Sequence, residues 1–312
     1  MSFDDELGAM ADILFGYSNH LEPPVYRPPS EARSLILQAT LGCSHNKCTF
    51  CVSYRTKQFY VKPFDIFQAE VEQLARKRGY RPTRIFLADG DAFVLKSERL
   101  KRVLGLLYTE FPTLERVSIY ASALNVKEKT DKELQDIHEA GLDLVYIGLE
   151  SGDDEVLQRV RKGVTNQEHI DTCLRLKKAG FTLSPIIILG LGGKDRTKEH
   201  AQNTAATINK IDPPFLAALT LMLVPGTELH TEAQQGTFHP LDPLETLQEL
   251  NMLIEGLSNL SNCLFRTNHA SNYLSLGGIL SQDQNRLLQI IDQVLSDPKA
   301  INRLRPDYLR GL

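Results

Sequence analysis

The sequence predicts an α/β protein of repeated β-α units around a largely parallel sheet. Two observations predict it. From Ser34 onward, short apolar runs rich in Val, Ile, Leu and Tyr alternate with longer amphipathic stretches, the rhythm of strands joined by helical crossovers. The residues that carry chemistry then fall at the C-terminal ends of successive strand runs, where β/α folds build their sites.

In chain order, residues 1–33 read as an arm, because Pro23, Pro24, Pro28 and Pro29 favour an extended segment laid over a domain. Strands are predicted over 34–41, 84–88, 116–121, 143–149, 183–189 and 217–223. Helices are predicted near 64–79, 97–110, 130–140, 153–161, 167–179 and 197–210, with another at 243–260 after the last strand. Parallel strands joined this way either close into a barrel or open into a doubly wound sheet, and six units alone leave both open. A polar segment at 266–277, a helix at 281–296 and a short Arg-rich tail follow. The expected organisation is an arm (1–33), a core domain (34–260) and a C-terminal cap or substrate segment (261–312).

With 35 basic and 39 acidic side chains the net charge is -4, so no global field draws the chain to nucleic acid. The start, Met1-Ser-Phe-Asp-Asp-Glu6, lacks a basic n-region before an apolar run, and nothing approaches the ~20 apolar residues of a membrane span. A soluble, cytoplasmic protein without a membrane partner is expected. Of five cysteines, three lie between positions 43 and 51, which suits metal ligation in a reducing compartment and not a disulfide framework.

Directly after the first strand run, Gly42-Cys43-Ser44-His45-Asn46-Lys47-Cys48-Thr49-Phe50-Cys51 spells C-x4-C-x2-C. Three thiolates with no fourth cysteine nearby can hold three irons of a cubane and leave the fourth open. A zinc site completed by His45 or a distant residue is the other reading, although zinc favours paired knuckles in closed tetrahedral sets.

With Phe50 before Cys51, this stretch resembles the radical S-adenosylmethionine (SAM) superfamily, whose usual signature is C-x3-C-x-aromatic-C after the first strand. Here one extra residue separates the first two cysteines. The resemblance covers roughly residues 34–226 and implies a partial (β/α)6 TIM-like barrel with an N-terminal arm and a mainly helical C-terminal extension. It also implies a [4Fe-4S] cluster on Cys43, Cys48 and Cys51, with SAM chelated to the open iron. Reductive cleavage of SAM would give methionine and a 5′-deoxyadenosyl radical that abstracts hydrogen from an unidentified substrate. An electron donor such as flavodoxin or ferredoxin is implied.

Later strand ends extend the resemblance. Asp89-Gly90-Asp91 stands where the superfamily has a glycine-glycine-acid turn that holds the SAM ammonium, with an acid in place of the first glycine; Asp-Gly is also a common turn. After the third strand, Ser122 and Asn125 suit either ribose hydroxyls or a helix cap. Gly148-Leu149-Glu150-Ser151-Gly152 is similar to the G-x-[EQ]-S-G turn of the branch that includes oxygen-independent coproporphyrinogen oxidase and the methylthiotransferases. Lys162 falls where that branch places a basic residue on the SAM carboxylate, or is a solvated cation near a helix C-terminus. Gly190 lies in a segment similar to the one that lines the adenine.

A methylthiotransferase would want a second set of cluster cysteines, and a cobalamin-dependent methyltransferase a binding domain larger than the arm. The alternative function is a non-catalytic zinc- or iron-sulfur-binding regulatory protein. Cys173 and Cys263 sit on apolar helical stripes and read as small hydrophobes. Tyr54, Arg55 and Lys57 either shield the cluster, contact substrate or belong to a solvated loop, and 268–273 either meets substrate or seals the barrel.

Overall fold

The computed structural model describes residues 21–77, 81–297 and 299–311. Residues 1–20 of the expected arm, and the end of the helix predicted to reach 79, lie outside the described residues. The chain divides into two compact units. The first takes in the described residues up to Asn46, Ser53–Tyr146 and Leu176–Phe181; the second takes in Lys47–Val52, Ile147–Arg175 and the described residues from Thr182 on.

In the first unit, β1 (Leu35–Leu37), β4 (Arg84–Leu87) and β5 (Arg116–Ala121) pair side by side in parallel. Leu35, Ile36 and Leu37 stand opposite Ile85, Phe86 and Leu87, and all six are buried, as befits strands covered on both faces. The predicted run 34–41 splits, because Thr40–Leu41 (β2) leaves the sheet to pair antiparallel with Tyr60–Val61 (β3). That ribbon brackets the stretch containing the cysteines.

Helix α1 (Phe64–Ala75) buries Phe67, Val71 and Leu74, one face at helical spacing. Helix α2 (Ser97–Glu110) does the same with Leu100, Val103, Leu104 and Leu107. The short α3 spans Ala123–Lys127. Helix α4 (Asp131–Glu139) starts at a capping box between Thr130 and Glu133. Ahead of β1, Glu31 is fully buried and accepts from Arg116 Nη2 at 2.7 Å and from the Tyr146 hydroxyl at 2.6 Å. Burial and the Glu31 charge push the Tyr146 phenol above its usual range.

Strand β6 (Leu142–Glu150) runs from the first unit into the second. In the second unit β7 (Thr182–Leu189) and β8 (Phe215–Thr220) are parallel, from Ile186 opposite Ala217 to Leu189 opposite Thr220. Residues 221–223, predicted to continue the last strand, lie beyond it. Like β3, two short strands of this unit were not predicted: β9 (Leu264–Arg266) adds in parallel to β8, and β10 (Gly277–Ile279) returns antiparallel.

Around them lie α5 (Asp154–Arg159), α6 (Asn166–Lys178), α7 (Gly193–Ile211), α8 (Glu228–Gln234), α9 (Pro243–Gly256) and α10 (Leu280–Leu295). Among the described residues no helix is long and apolar enough to cross a membrane.

Candidate functional site

In the first unit, Cys43 follows β2 and meets the turn after β4. Gly90 donates its N–H to the Gly42 carbonyl at 3.0 Å. A Cβ on Gly90 would stand 2.7 Å from Cys43 Cβ and 2.9 Å from the Tyr54 ring, so glycine is what lets this turn pass against the cysteine. On its two sides the acids behave differently. Asp89 is fully buried and accepts from Gln38 Nε2 at 2.9 Å, the Gly42 N–H at 2.8 Å and Lys57 Nζ at 3.0 Å.

Asp91, also fully buried, accepts from the Ser44 hydroxyl at 2.8 Å, the Ser122 N–H at 3.3 Å and the Asn125 side-chain amide. Burial pushes the Asp91 carboxyl above the usual carboxylate range, against these bonds, which pull it down. Ser122 is the N-cap of α3, its hydroxyl accepting from the Asn125 N–H. Tyr54 and Lys57 are buried among these groups.

In the second unit, Cys48 and Cys51 bracket a turn with a 3.2 Å bond from the Cys51 N–H to the Cys48 carbonyl. Between them Thr49 donates its N–H to the Val160 carbonyl at 3.0 Å and accepts from the Leu229 N–H at 3.1 Å. Phe50 packs on a cluster of Val156, Val160, Leu191, Leu229 and Phe238. The aromatic next to Cys51 thus anchors the turn in a core.

Glu150 ends β6 with a left-handed φ of 63° and pairs with Lys162 Nζ at 2.9 Å, each side chain 12% exposed. A Cβ on Gly148 would stand 2.3 Å from Glu150 Oε1 and 3.1 Å from Lys162 Nζ. Gly148→Ala is therefore expected to displace this largely buried pair and lower unfolding stability by about 1–3 kcal/mol. Denaturant titration reads it, and an unchanged midpoint would mean that the pair yields freely.

Ser151 and His200 Nδ1 lie 2.8 Å apart, and His200 Nε2 meets the Ile188 carbonyl at 3.0 Å. Because the carbonyl only accepts, Nε2 is the donor in that bond. The Gly190 N–H donates to Glu249 Oε1 at 2.6 Å and Thr197 donates to Glu249 Oε2 at 2.6 Å. Glu249 is fully buried.

Gly190 edges a cavity of about 310 Å3, lined further by Thr220, Leu221, Tyr273, Asp307 and Arg310. Arg310 lies 4.0 Å over the Tyr273 ring and donates to the carbonyls of Leu221 at 2.8 Å and Ser271 at 2.7 Å. Ser271 and Asn272 are buried and bond to β8, Ser271 at the Thr220 N–H and Asn272 at the Ala218 carbonyl and the Thr220 hydroxyl. The polar segment after β9 therefore seals the end of β8, and Tyr273 alone of Ser271, Asn272 and Tyr273 lines the cavity.

Cys173 and Cys263 are buried, and burial pushes the Cys263 thiol up to about 12. No cysteine forms a disulfide among the described residues. Nor is any group of three or more His, Cys, Asp or Glu side chains gathered there for a metal ion. The fit of a cluster therefore rests on the donor set: Cys43, Cys48 and Cys51 are half-buried thiols, the ligand type that iron-sulfur clusters take.

The class defined by this architecture is α/β, a mostly parallel sheet surrounded by helices, as in the partial barrels of known SAM-dependent proteins. The chain belongs to the radical SAM superfamily, which its residues 37–208 match, more than half its length. It is 22% identical over 171 residues to the heme chaperone HemW of Bacillus subtilis (strain 168), covering 54% of this chain and 44% of HemW. It is 24% identical over 190 residues to the tRNA-2-methylthio-N(6)-dimethylallyladenosine synthase of Oceanobacillus iheyensis, covering 59% of this chain and 35% of the synthase.

Among solved structures it resembles the radical S-adenosylmethionine methyltransferase TsrM from Kitasatospora setae with cobalamin and a [4Fe-4S] cluster bound. The TM-score is 0.53 at 16% identity, over 73% of this chain and 42% of TsrM. The chain spans less than half the length of the curated relatives named here.

Sequence reasoning did not find the partners of Asp89 or the buried Glu249. Glu249 left a signal, an acid on the stripe of α9 that carries Leu250 and Leu253. Asp89 left one too, as an acid at a turn position where the related pattern has glycine.

Proposed function

We propose that this chain is an enzyme that holds a [4Fe-4S] cluster on Cys43, Cys48 and Cys51 and cleaves SAM reductively, with hydrogen abstraction from an unidentified substrate. The observation that carries the reading is the C-x4-C-x2-C turn inside the matched region 37–208. When bound, the cluster and SAM supply the electron transfer and the radical.

The chain's own residues bind and orient. The Thr49 backbone and Phe50 hold the Cys48–Cys51 turn. Gly90 admits close approach to Cys43, and Asp91 offers an acceptor for the SAM ammonium that Ser44, Ser122 and Asn125 keep oriented. Glu150 and Lys162, as an ion pair, present opposite charges for the polar groups of SAM, and Gly190 flanks the adenine. Residues 261–312 act as the cap over a core of 34–260, and a flavodoxin- or ferredoxin-type donor supplies the electron.

Anaerobic reconstitution with iron and sulfide tests the reading. About four irons per chain, brown absorbance and 5′-deoxyadenosine from SAM with dithionite are expected. One bound zinc, no brown absorbance and no 5′-deoxyadenosine would replace it with the non-catalytic metal-binding protein.

A further inference from the structure

We propose that Asp89 is a positioning residue that ties both ends of the cysteine loop to the end of β4. The inference rests on the proposed cluster for its purpose, but its geometry stands within the first unit. Asp89 has a φ of 68°, a left-handed conformation that glycine adopts freely and a side chain resists. What an aspartate adds there is its carboxylate, and that carboxylate is wholly occupied.

One oxygen takes the N–H of Gly42 at 2.8 Å, the residue before Cys43. The other takes Gln38 Nε2 at 2.9 Å, and Lys57 Nζ reaches both oxygens at 3.0 and 3.2 Å. Lys57 lies six positions after Cys51, and its side chain is only 8% exposed. Gln38 in turn exchanges two bonds with the backbone of Glu22, at 2.8 and 3.1 Å, so the tie continues into the arm.

A buried carboxylate is tolerable only with such partners, and removing it leaves a buried ammonium unpaired. The physical consequence is a closed loop. With Gly42 and Lys57 held at one point, the chain between them loses most of its end-to-end freedom, so the thiols are presented before metal arrives. Because its bonds are spent on the loop, the Asp89 carboxylate fixes the loop and is not left over to accept from a SAM ammonium.

Asp89→Gly is the discriminating variant, since glycine accepts the backbone conformation and only the carboxylate is lost; Lys57→Gln attacks the same tie from the other end. In the metal-free full chain, amide hydrogen exchange at residues 42–58 is expected to rise about tenfold or more in either variant, with the rest of the chain unchanged. After reconstitution, iron is expected to leave to a chelator about tenfold faster than from the wild type, with a broadened electron paramagnetic resonance signal of the reduced cluster.

Wild-type exchange and wild-type iron release in Asp89→Gly overturn the proposal. Should that variant fail to fold, Lys57→Gln decides by the same two readouts, a wild-type result again overturning it. Failure of the wild-type chain to take up iron would instead defeat the cluster reading, and the exchange result on the metal-free chain would stand apart from it.

Discussion

Replacing Cys43, Cys48 or Cys51 singly by alanine is expected to reduce 5′-deoxyadenosine formation by at least about 10^3-fold, to the background of a chain without cluster. Each thiolate would be one of only three protein bonds to the cluster, and a chain with two cannot hold it in place. The fold is expected to survive, because all three side chains are half-buried and none belongs to the core. Product quantification beside a thermal melt checks both halves. Turnover that persisted in any one variant would remove that cysteine from the ligand set, and turnover persisting in all three would sink the reading.

Acid is expected to destabilise the fold through one histidine. His169 on α6 is fully buried, and neither ring nitrogen has a hydrogen-bond partner among the described residues. Burial, assisted by the charge of Lys162, holds its pKa down to about 3, against about 6.5 for an unfolded histidine. Above pH 6.5 both states carry it neutral, so it costs nothing there. As pH falls from 6.5 toward 3, the unfolded chain gains a proton that the folded one refuses, and stability drops.

At pH 4 the loss is on the order of 3 kcal/mol. His169→Leu removes this term and also the two unsatisfied nitrogens. The stability of the variant relative to wild type should therefore climb by about that amount between pH 7 and pH 4 in denaturant titrations. Parallel curves for the two proteins would show that the imidazole finds a partner in solution.

What the sequence disclosed was what neighbouring residues determine. The helix predicted at 97–110 and the strand at 116–121 match α2 and β5 residue for residue, because apolar spacing fixes one and a short apolar run between turns fixes the other. The run 34–41 misled for the opposite reason. It reads as one mainly apolar run, but Thr40 and Leu41 find their partners at Val61 and Tyr60, which no local window contains. Strands of three residues, as in β9 and β10, are too short to show a period of two.

The proposed cysteine ligands stand out in the sequence because their spacing is itself the signal. The setting of Asp89 was not, since its partners Gln38 and Lys57 stand 51 and 32 positions away. Ser122 and Ser271 show the same limit from another side: a small polar residue at a strand end looks alike whether it meets a ligand, caps a helix or closes a sheet.

The clamp of Arg310 on the carbonyl of Leu221 joins residues 89 positions apart. Chains are made from the N-terminus, and their early parts fold first. The cavity beside Gly190 therefore cannot acquire its Tyr273–Arg310 wall until synthesis has passed Arg310. A nascent chain can have β7 and β8 in place while that side of the cavity still stands open, so the closed cavity waits on the synthesis of a residue far downstream of the strands that floor it.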